Sequence, residues 1–388
     1  MPTAQLIPPA TARAASAPIS VLLQCTNLGG MEKVAYSLFD QLQVRGFRFK
    51  ISSPRPWGPG RNRVLATDAT AAAHNYQGKF GWQSFPAYRR HTLAQCRASE
   101  HLWVIGNCAS CLMAARLLGR KTLFSHHYHH FENRGSRARW TAFYLAFGAS
   151  VNAITYPTDF TRNEALRIAP WLRKKMHVVR NGFDVHYTDE AHRLEARQAA
   201  RRELGMPEDA FLVGNGGWLI QRKRFDVFLQ TARQVLRQVP NARFYICGGG
   251  PEEQRLRQLA ADLGIADKVQ FTGWVPDLTR YYQAWDALLF NTDFDALGCS
   301  PLEAASHGCV CVASCRYGGL SEFLTNGETG FFMKEHEPQK LADELVMVAR
   351  NESLGLELRQ RAAALLDLKF SNRAALAFYE HYFRGGRD

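Results

Sequence analysis

The sequence predicts an α/β protein with two doubly wound domains, each built on a parallel sheet with helices on both faces. Its 388 residues exceed what one hydrophobic core usually accommodates, so two domains are expected. Apolar strand candidates alternate with helical segments along most of the chain, which is typical of parallel sheets. The alternation breaks near residue 180, at HVVRNGFDVHYTDEAHRLEA, and then restarts.

The first half opens with a continuous apolar strand candidate, ISVLLQC, from Ile19. After the TNLGG loop, MEKVAYSLFDQLQVRG places Val34, Leu38 and Leu42 on one helical face, and Gly46 ends that helix. Further strands are predicted at FRFKISS, HLWVIG, TLFSHH and VNAITYP. Together these segments predict the first doubly wound domain.

The second half repeats the pattern, with strands predicted at AFLVGNGG, ARFYICGGG, KVQFTGWV, DALLFNTD and CVCVASC. Helices are predicted at RFDVFLQTARQVLRQV and at PEEQRLRQLAADLG, which a proline opens. Ligands of such sheets bind at the carboxyl ends of the strands, and in a two-domain chain those ends can face one another across a cleft. The last helix, RAALAFYEHYFRG, is expected to return to the first domain; the alternative is an ordinary terminal helix.

These segments predict four parts of the chain. They are a flexible leader at residues 1–18, an N-terminal domain at 19–183, a C-terminal domain at 184–368 and a returning C-terminal helix at 369–388. The leader lacks a basic start and a long apolar core, so it is a poor signal peptide, and no apolar run reaches the length of a membrane span. A cytoplasmic location is therefore expected.

The chain is strongly basic, with a net charge of +13 and a pI of about 9.4. Such a surface attracts polyanions, which include nucleic acid, anionic lipid and phosphate-bearing substrates. Basic clusters lie at Arg55–Arg63, at Arg89 and Arg90, and at Arg134–Arg139, all in the first half. One shared basic face is the functional interpretation, and solvated loops are the alternative for each cluster.

The nine cysteines raise the question of a metal or disulfide site. Cys108 and Cys111 have CxxC spacing but lack the second ligand pair of a zinc site. Cys309, Cys311 and Cys315 fall in or beside CVCVASC, which is typical of a buried strand with cysteine as a small apolar residue. An odd number of cysteines in a cytosolic protein favours free thiols.

Chemistry-bearing residues of the second half follow its predicted strands. Gly216–Trp218 follow AFLVGNG, and Gln221–Arg224 come next, at the predicted start of a helix. Backbone N–H groups at a helix start and basic side chains suit a diphosphate. The glycines of GGGP let backbone approach a ligand, although a plain turn explains them equally well. The loop Gly273–Asp277 offers main-chain groups to a nucleotide base. Asp295 is predicted on a loop, and Glu303, eight positions later and past Gly298, in the first turns of a helix that begins at Pro301. They are either two carboxylates that share a polyhydroxyl ligand, or a loop residue and a helix-start carboxylate.

These stretches carry a family resemblance. DALGCSPLEAASHGCVCVAS resembles the E-x-F-G-x-x-x-L-E-A-x-x-x-G-x-P-V-V-A-S motif of family 4 of the retaining glycosyltransferases, which have the GT-B fold of two Rossmann-like domains facing across a cleft. GGLSE and NGETGFF continue the match, LGGMEKVAYSL resembles the family's glycine loop and helix, and RNGFD resembles the entry to its interdomain linker. The resemblance runs from Ile19 over almost the whole chain and is most specific from Gly214 to Phe332.

The resemblance implies roles for individual residues. Glu303 would hold the ribose hydroxyls of a nucleotide-sugar donor, Asp295 would face the donor sugar, and Lys223 would neutralise the departing diphosphate. His126 would lie near the donor sugar, with His127 as the alternative within HHYHH and a structural histidine as the bland interpretation. The further donor-binding residues would be Gly29, Gly30, Gly217, Arg222, Gly249, Val275, Gly298, Cys299 and Ser300.

Two residues depart from the family pattern. Trp218 stands where the family usually has an arginine, which removes one diphosphate cation that Arg222 or Arg224 would have to replace. Asp295 stands where glutamate is usual, and its carboxylate sits back by roughly 1.5 Å, one carbon–carbon bond. Both changes bear on the identity of the donor.

The function expected from the resemblance is transfer of a sugar to an acceptor hydroxyl with retention at the anomeric carbon, in polysaccharide, lipopolysaccharide or glycolipid assembly. It implies front-face attack, in which the leaving diphosphate takes the acceptor's proton and no metal or other cofactor is needed. The basic first half suits a membrane-held acceptor and peripheral contact with an anionic inner leaflet. The alternatives are a nucleotide-sugar epimerase of the same fold and a nucleic-acid-binding protein; the latter lacks aromatic residues interleaved with its basic clusters.

Overall fold

The computed structural model describes residues 18–23, 30–53, 74–75, 97, 99–106, 112, 116–127 and 134–385. The chain divides into two compact units, residues 1–180 with 373–388, and residues 181–372. The sequence placed these divisions at 183/184 and 368/369. Each unit has its own parallel sheet and its own core.

The first unit is built on a seven-stranded parallel sheet with the order β3-β2-β1-β4-β5-β6-β7. The order reverses between β1 and β4, which lie side by side. Its elements within the described residues are β1 (Ile19–Leu23), α1 (Gly30–Val44), β2 (Phe49–Ser53), β3 (His74–Asn75), β4 (His101–Ile105), β5 (Lys121–Ser125), α2 (Arg134–Phe147), β6 (Ala153–Tyr156), α3 (Asp159–Ile168) and β7 (Met176–Val178). Short 3-10 turns at Gly148–Ser150 and Pro170–Lys175 precede β6 and β7.

The second unit has a six-stranded parallel sheet with the order β10-β9-β8-β11-β12-β13. Its strands are β8 (Leu212–Gly216), β9 (Arg243–Cys247), β10 (Val269–Gly273), β11 (Ala287–Asp295), β12 (Val310–Gly318) and β13 (Phe331–Met333). Its helices are α4 (Glu190–Glu203), α5 (Phe225–Leu236), α6 (Glu253–Asp262), α7 (Thr279–Ala284), α8 (Cys299–Ser306), α9 (Pro338–Arg350) and α10 (Glu352–Lys369). Further 3-10 turns lie at Gln221–Lys223, Ala266–Lys268 and Leu320–Glu322.

Packing in the core of the second unit explains the residue types found in its strands. The central strands are buried on both faces, so they are continuously apolar rather than alternating. Gly214 lies in the middle of β8 because the indole of Trp285 occupies the space of a side chain, 2.0 Å from where a Cβ would stand. Cys309, Cys311 and Cys315 are buried free thiols, which confirms their prediction as small apolar residues of a strand.

The last helix, α11 (Asn372–Phe383), packs on the sheet of the first unit. Tyr379 lies against Trp103 of β4, with ring centroids 4.7 Å apart, and Phe378 lies 5.4 Å from His177. Lys121 sits over the ring of Tyr382 at 4.7 Å. The aromatic residues of this C-terminal helix are thus part of the core of the first unit.

Candidate functional site

The candidate site of the second unit forms where its strand order reverses. From β8 the chain runs to β9 and β10 on one side of the sheet, whereas β11 pairs with β8 on the other. The segments that follow β8 and β11 therefore diverge at their carboxyl ends and leave a crevice between them, which is where ligands of doubly wound sheets bind. Lys223 follows β8 and Asp295 ends β11, so the fold brings the two together across 72 residues of sequence.

Asp295 uses both of its carboxylate oxygens. Oδ2 lies 2.8 Å from Nζ of Lys223, and Oδ1 accepts a hydrogen bond of 2.9 Å from the backbone N–H of Gly298. The second bond fixes the turn between β11 and α8, and Gly298 permits that turn with a left-handed φ of 80°. The carboxylate is therefore held beside the first residue of α8 and is partly open to solvent.

The charge on Asp295 is set by opposing effects. Burial alone would raise the pKa of this carboxyl, but the Lys223 ammonium, the Arg222 guanidinium and the Gly298 N–H together hold the pKa below its usual value. Asp295 is consequently an anion at neutral pH. Its partner Lys223 also lies 4.9 Å from the ring centre of Phe290, which limits where the ammonium can move.

Arg222 points at the same strand end. Its guanidinium donates to the carbonyl of Phe294 at 2.7 Å and lies 4.5 Å from the centre of that residue's ring. The Thr292 hydroxyl lies 3.2 Å from the Arg222 carbonyl and 3.0 Å from the Phe294 carbonyl. Gln221–Lys223 is a 3-10 turn, not the first turn of a helix as the sequence suggested, because Arg224 takes a left-handed conformation before α5 begins.

Glu303 lies in the second turn of α8, which begins at Cys299 rather than at Pro301. Its Oε2 accepts a hydrogen bond of 3.1 Å from the Tyr282 hydroxyl. Burial, followed by the nearby Glu303 carboxylate, raises the pKa of Tyr282 well above its usual value, so the phenol keeps its proton and acts as the donor. The Glu303 carboxylate is thus oriented from α7, and the sequence carried no signal of this because the tyrosine lies 21 residues away.

Side chains at the C-terminal end of α8 hold the backbone carbonyl of Glu303. Its carbonyl accepts from the Ser306 hydroxyl at 2.7 Å and lies 2.9 Å from Nδ1 of His307, which must carry a proton to bond a carbonyl. The His307 ring stacks on that of His186, with centroids 4.4 Å apart. Burial lowers the pKa of His307 to about 4, so this support is neutral at physiological pH.

Cys299 and Ser300 open α8 beside the two carboxylates. The Cys299 sulfur lies 3.4 Å from Nδ2 of Asn181. Burial, with Glu303 and Asp295 nearby, raises the pKa of the Cys299 thiol to about 12. The thiol is therefore no nucleophile at neutral pH, and the polar groups at the start of this helix are its N–H groups and the Ser300 hydroxyl.

The glycine loops after β8 and β9 are packed backbone to backbone. A Cβ on Gly248 would lie 1.8 Å from the carbonyl oxygen of Gly217, and Leu219 N–H bonds the Gly249 carbonyl at 3.0 Å. Gly217 and Gly250 have φ values of 151° and 158°. Around Gly249 itself there is open space on the Cβ side, so its backbone is accessible.

Two tryptophans flank these loops. Trp218 and Trp274 follow β8 and β10, are 44% and 42% exposed, and have ring centroids 5.2 Å apart. Val275, beside Trp274, is half-buried on the predicted base-reading loop. Trp218 therefore replaces the family's arginine with one half of an aromatic pair.

A second group of charged residues joins the segment after β8 to the end of β11, and the sequence did not predict it. Arg224 bonds both oxygens of Asp226 at 3.0 Å and lies 3.3 Å from Asp293. His336 places Nε2 3.2 Å from Asp293 and Nδ1 2.7 Å from the Ser314 hydroxyl. Burial lowers the pKa of His336, so the ring is neutral at physiological pH and can donate through Nε2 to the Asp293 carboxylate.

The predicted site residues of the first unit are Gly29, Gly30 and a histidine, His126 or His127. Gly29 lies outside the described residues, and Gly30 is the first residue of α1. His126 follows β5 and is 1% exposed; its ring packs against Trp140 at 4.6 Å and Tyr156 at 5.3 Å. His127 is half-buried, and burial lowers its pKa to about 4. Of the two histidines, His127 has the more accessible side chain, and the role of His126 stays a prediction.

Other predicted features can be placed only in part. The basic clusters at Arg55–Arg63 and at Arg89 and Arg90 lie outside the described residues, as do Cys108 and Cys111. Within the part of the chain that the structure describes, no group of three or more His, Cys, Asp or Glu side chains could hold a metal ion. No helix among the described residues is long and apolar enough to span a bilayer.

Two family models match the chain. Residues 28–187 match Glycosyltransferase Family 4, and residues 196–364 match Glycosyl transferases group 1. The two matches meet near the division between the units and together span most of the sequence.

Curated relatives match about half of the chain. The lipopolysaccharide core biosynthesis glycosyltransferase LpsE of Rhizobium meliloti (strain 1021) is 28% identical over 179 residues, which cover 46% of this chain and 51% of that protein. The D-inositol 3-phosphate glycosyltransferase of Corynebacterium urealyticum is 32% identical over 200 residues, 49% of this chain and 46% of that protein. The chain thus spans about half the length of the curated relatives it matches.

Solved structures match over nearly the full length. Anabaena HepE in complex with UDP-glucose superposes with a TM-score of 0.79 at 16% identity, covering 95% of this chain and 99% of that one. The lipopolysaccharide outer core galactosyltransferase WaaB, in its apo form, superposes with a TM-score of 0.67 at 13% identity, covering 95% and 99%. The predicted two-domain GT-B fold is thereby confirmed.

Proposed function

This chain belongs to the family 4 and group 1 glycosyltransferases, and from that premise we propose that it moves a sugar from a nucleotide-sugar donor to an acceptor hydroxyl with retention of anomeric configuration. One observation carries the proposal. Lys223, Asp295 and Glu303 lie at the strand-order reversal of the second unit, with an ammonium, an ionised carboxylate and a second carboxylate grouped at one crevice.

The donor is proposed to bind through its nucleoside diphosphate. Glu303 accepts hydrogen bonds from the ribose hydroxyls through the oxygen that Tyr282 leaves open. The diphosphate takes its place beside Lys223, the half-buried backbone of Gly249 and the N–H groups of Cys299 and Ser300. That UDP and UDP-glucose are bound by Anabaena HepE supports a UDP-sugar as the first donor to test.

The reaction requires one bond to break and another to form at the anomeric carbon. The bond to the diphosphate oxygen breaks with its electron pair going to the leaving group, the acceptor oxygen bonds the same face, and the acceptor's proton passes to the departing diphosphate. Lys223 stabilises the charge that develops on that leaving group, and Asp295 orients the sugar hydroxyls. The pair between them also holds each side chain in place before the donor arrives.

The acceptor is proposed to be a hydroxyl of a growing glycolipid or lipopolysaccharide. The similarity to a lipopolysaccharide core transferase supports this class. The reaction is proposed to need no metal or other cofactor, since Lys223 and helix N–H groups can neutralise the diphosphate. Loss of transfer on EDTA treatment with recovery on adding Mn²⁺ would contradict that part.

A thermal-shift panel of UDP-, GDP- and ADP-sugars tests the proposal first. A ligand at one hundred times its Kd stabilises the fold by about 2.7 kcal/mol. We expect one nucleotide series to raise Tm in the wild type, and Glu303→Ala to weaken its binding by about 10- to 100-fold, since hydrogen bonds to a carboxylate are lost. Glu357→Ala removes an exposed carboxylate elsewhere in the second unit and should bind like the wild type.

The product distinguishes the reaction classes. With a donor identified, NMR of the product is expected to show the anomeric configuration of the donor retained. An inverted product, or an epimerised donor formed without any acceptor, contradicts the proposal and in the second case supports the epimerase. Tight, salt-sensitive binding of duplex DNA with no response to any nucleotide would support the nucleic-acid-binding alternative instead.

A further inference from the structure

A cavity of about 730 Å³ lies within the second unit, at the carboxyl edge of its sheet. Its described lining residues belong to four neighbouring strands: they follow β8 and β9 and lie near the ends of β11 and β12. The volume is within the range of roughly 300–1,000 Å³ that is typical of small-molecule sites. Lys223, Asp295 and Glu303 are not among the described lining residues, so the cavity is a candidate site in addition to the proposed donor crevice.

The cavity and the donor crevice lie on different sides of this edge. Arg255 lines the cavity from the first turn of α6, whereas Glu303 lies on α8. The connections from β8 to β9 and from β9 to β10 run one way across the sheet and the connection from β11 to β12 runs the other way, so right-handed crossovers place α6 and α8 on opposite faces. In agreement, Asp295 bonds the turn before α8, and Asp293 contacts His336, two residues before α9, which packs on α5.

Two carboxylates of the cavity are held in fixed positions. Arg224 bonds both oxygens of Asp226 at 3.0 Å and lies 3.3 Å from Asp293. Within the described residues, Arg224 and His336 both contact Oδ1 of Asp293, which leaves Oδ2 open to a ligand. Arg224 reaches these partners from a left-handed backbone with φ of 46°, and strained backbone of this kind is concentrated at ligand-binding and active sites.

Two further arginines present open hydrogen-bond donors to the cavity. Arg255 is 54% exposed and bonds Glu252 at 2.7 Å through Nε, which leaves its two terminal nitrogens without a partner among the described residues. Arg316 is 53% exposed and lies 3.7 Å from Glu335, beyond hydrogen-bond distance. Gln221 adds an exposed amide, which can both donate and accept. Donors and acceptors are therefore available to a ligand on several sides of the cavity.

We propose that this cavity binds an uncharged saccharide, separately from the nucleotide sugar. Its described lining consists of three arginines, three carboxylates and one amide, so the formal charges cancel, whereas a phosphate ligand calls for an excess of cations. Each of these side chains ends in a planar group that offers two donors, two acceptors or one of each, which matches a pair of adjacent hydroxyls. In the bound state Oδ2 of Asp293 accepts from one such pair, and the terminal nitrogens of Arg255 and Arg316 donate to others.

Saccharide binding does not depend on the transferase reaction and can be measured without it. Saturation-transfer NMR and calorimetry with glucose, galactose, maltose and lactose provide the probes, and we expect at least one to bind saturably with a Kd of about 1 mM or below. Glu303→Ala, which alters the donor crevice, should bind the probe like the wild type, and saturating UDP should not displace it. Tighter binding of a disaccharide than of its monosaccharide assigns the cavity to a glycan chain, and equal binding assigns it to a single free sugar.

Variants of the exposed arginines locate the site. Arg255→Ala and Arg316→Ala should each weaken probe binding about tenfold, the loss expected for hydrogen bonds from a charged donor. Arg257→Ala is the matched control, because Arg257 is an exposed arginine of the same helix, bonds Glu253 and is not among the described lining residues. It should bind the probe like the wild type.

Several outcomes would overturn the proposal. They are no saturable binding of any probe up to about 10 mM, displacement by UDP, loss of binding in Glu303→Ala, or equal binding by Arg255→Ala, Arg316→Ala and Arg257→Ala. Binding that inorganic phosphate displaces and that weakens with salt would make the cavity an anion site instead. If no nucleotide sugar raises Tm but a saccharide still binds, the proposed function fails and the saccharide site stands.

Discussion

Lys223 and Asp295 form an ion pair of 2.8 Å between the segment after β8 and the end of β11, at the point where the sheet of the second unit reverses its strand order. Both side chains are about one-fifth exposed, so a ligand can reach them. In the proposed reaction the diphosphate draws the ammonium away from the carboxylate, which then accepts hydroxyl hydrogens from the sugar. The two side chains are therefore already positioned before the donor binds, and the bound donor separates them.

Replacing Lys223 tests that relationship. In Lys223→Met the developing charge on the diphosphate loses its cation, and we expect kcat to fall about 100- to 1,000-fold, as for other preorganised charge-stabilising groups. Steady-state kinetics with the donor found by thermal shift measure it. Lys268→Met removes a half-buried lysine immediately before β10 and should leave kcat unchanged. A Lys223→Met enzyme with wild-type kcat and a raised KM would place the lysine in donor binding alone.

Asp295→Glu tests whether the shorter carboxylate is fitted to this site. The two oxygens of Asp295 serve Lys223 and the Gly298 N–H at once. A side chain one methylene longer moves the carboxylate by roughly 1.5 Å and cannot keep both contacts with the same backbone. We expect turnover to fall about tenfold and donor preference to change, measured as kcat/KM for a panel of sugars on one nucleotide. Turnover above the wild-type value would mean that the aspartate is not fitted to the donor sugar.

The sequence predicted the fold, and it singled out residues that the structure brings together at the candidate site, because their signals are local. Strand-to-helix alternation and the spacing of Asp295 and Glu303 are properties of short segments, and the parallel sheet then brings segments together by rule. Tyr282, His336 and Asn181 were not predicted, since each joins the site through a contact distant in sequence. The left-handed Arg224 was also missed, because no composition rule places arginine in a conformation that favours glycine.

Arg224 allows a stability prediction of unusual sign. Its φ of 46° makes it the one non-glycine residue with positive φ among the described residues. Arg224→Ala loses the bonds to Asp226 and Asp293 and keeps the strained backbone, whereas Arg224→Gly loses the same bonds and relieves the strain. We expect the glycine variant to be more stable than the alanine variant by about 1 kcal/mol, although glycine usually destabilises.

Urea unfolding of the two Arg224 variants gives the comparison directly, with wild type as reference. The pair is informative because neither variant keeps the ion pairs. An alanine variant as stable as the glycine variant would show that the left-handed conformation relaxes when the guanidinium is removed.

His307 makes stability depend on pH. Burial lowers its pKa from 6.5 to about 4, so the folded protein binds its proton less readily than the unfolded chain. Its contribution is therefore complete above pH 6.5, falls as pH drops towards 4, and levels off below that. With about 1.4 kcal/mol for each pKa unit, the loss across this window is about 3 kcal/mol.

The His307 contribution is isolated by comparing wild type with His307→Gln, whose amide can still donate to the Glu303 carbonyl. Free energies of unfolding in urea at steps from pH 7.5 to 4 should converge for the two proteins as pH falls, because only the wild type loses the histidine contribution. His127, whose pKa burial also lowers to about 4, titrates in both proteins and cancels in the difference. A difference between the two free energies that stays constant with pH would mean that His307 titrates normally in the folded protein.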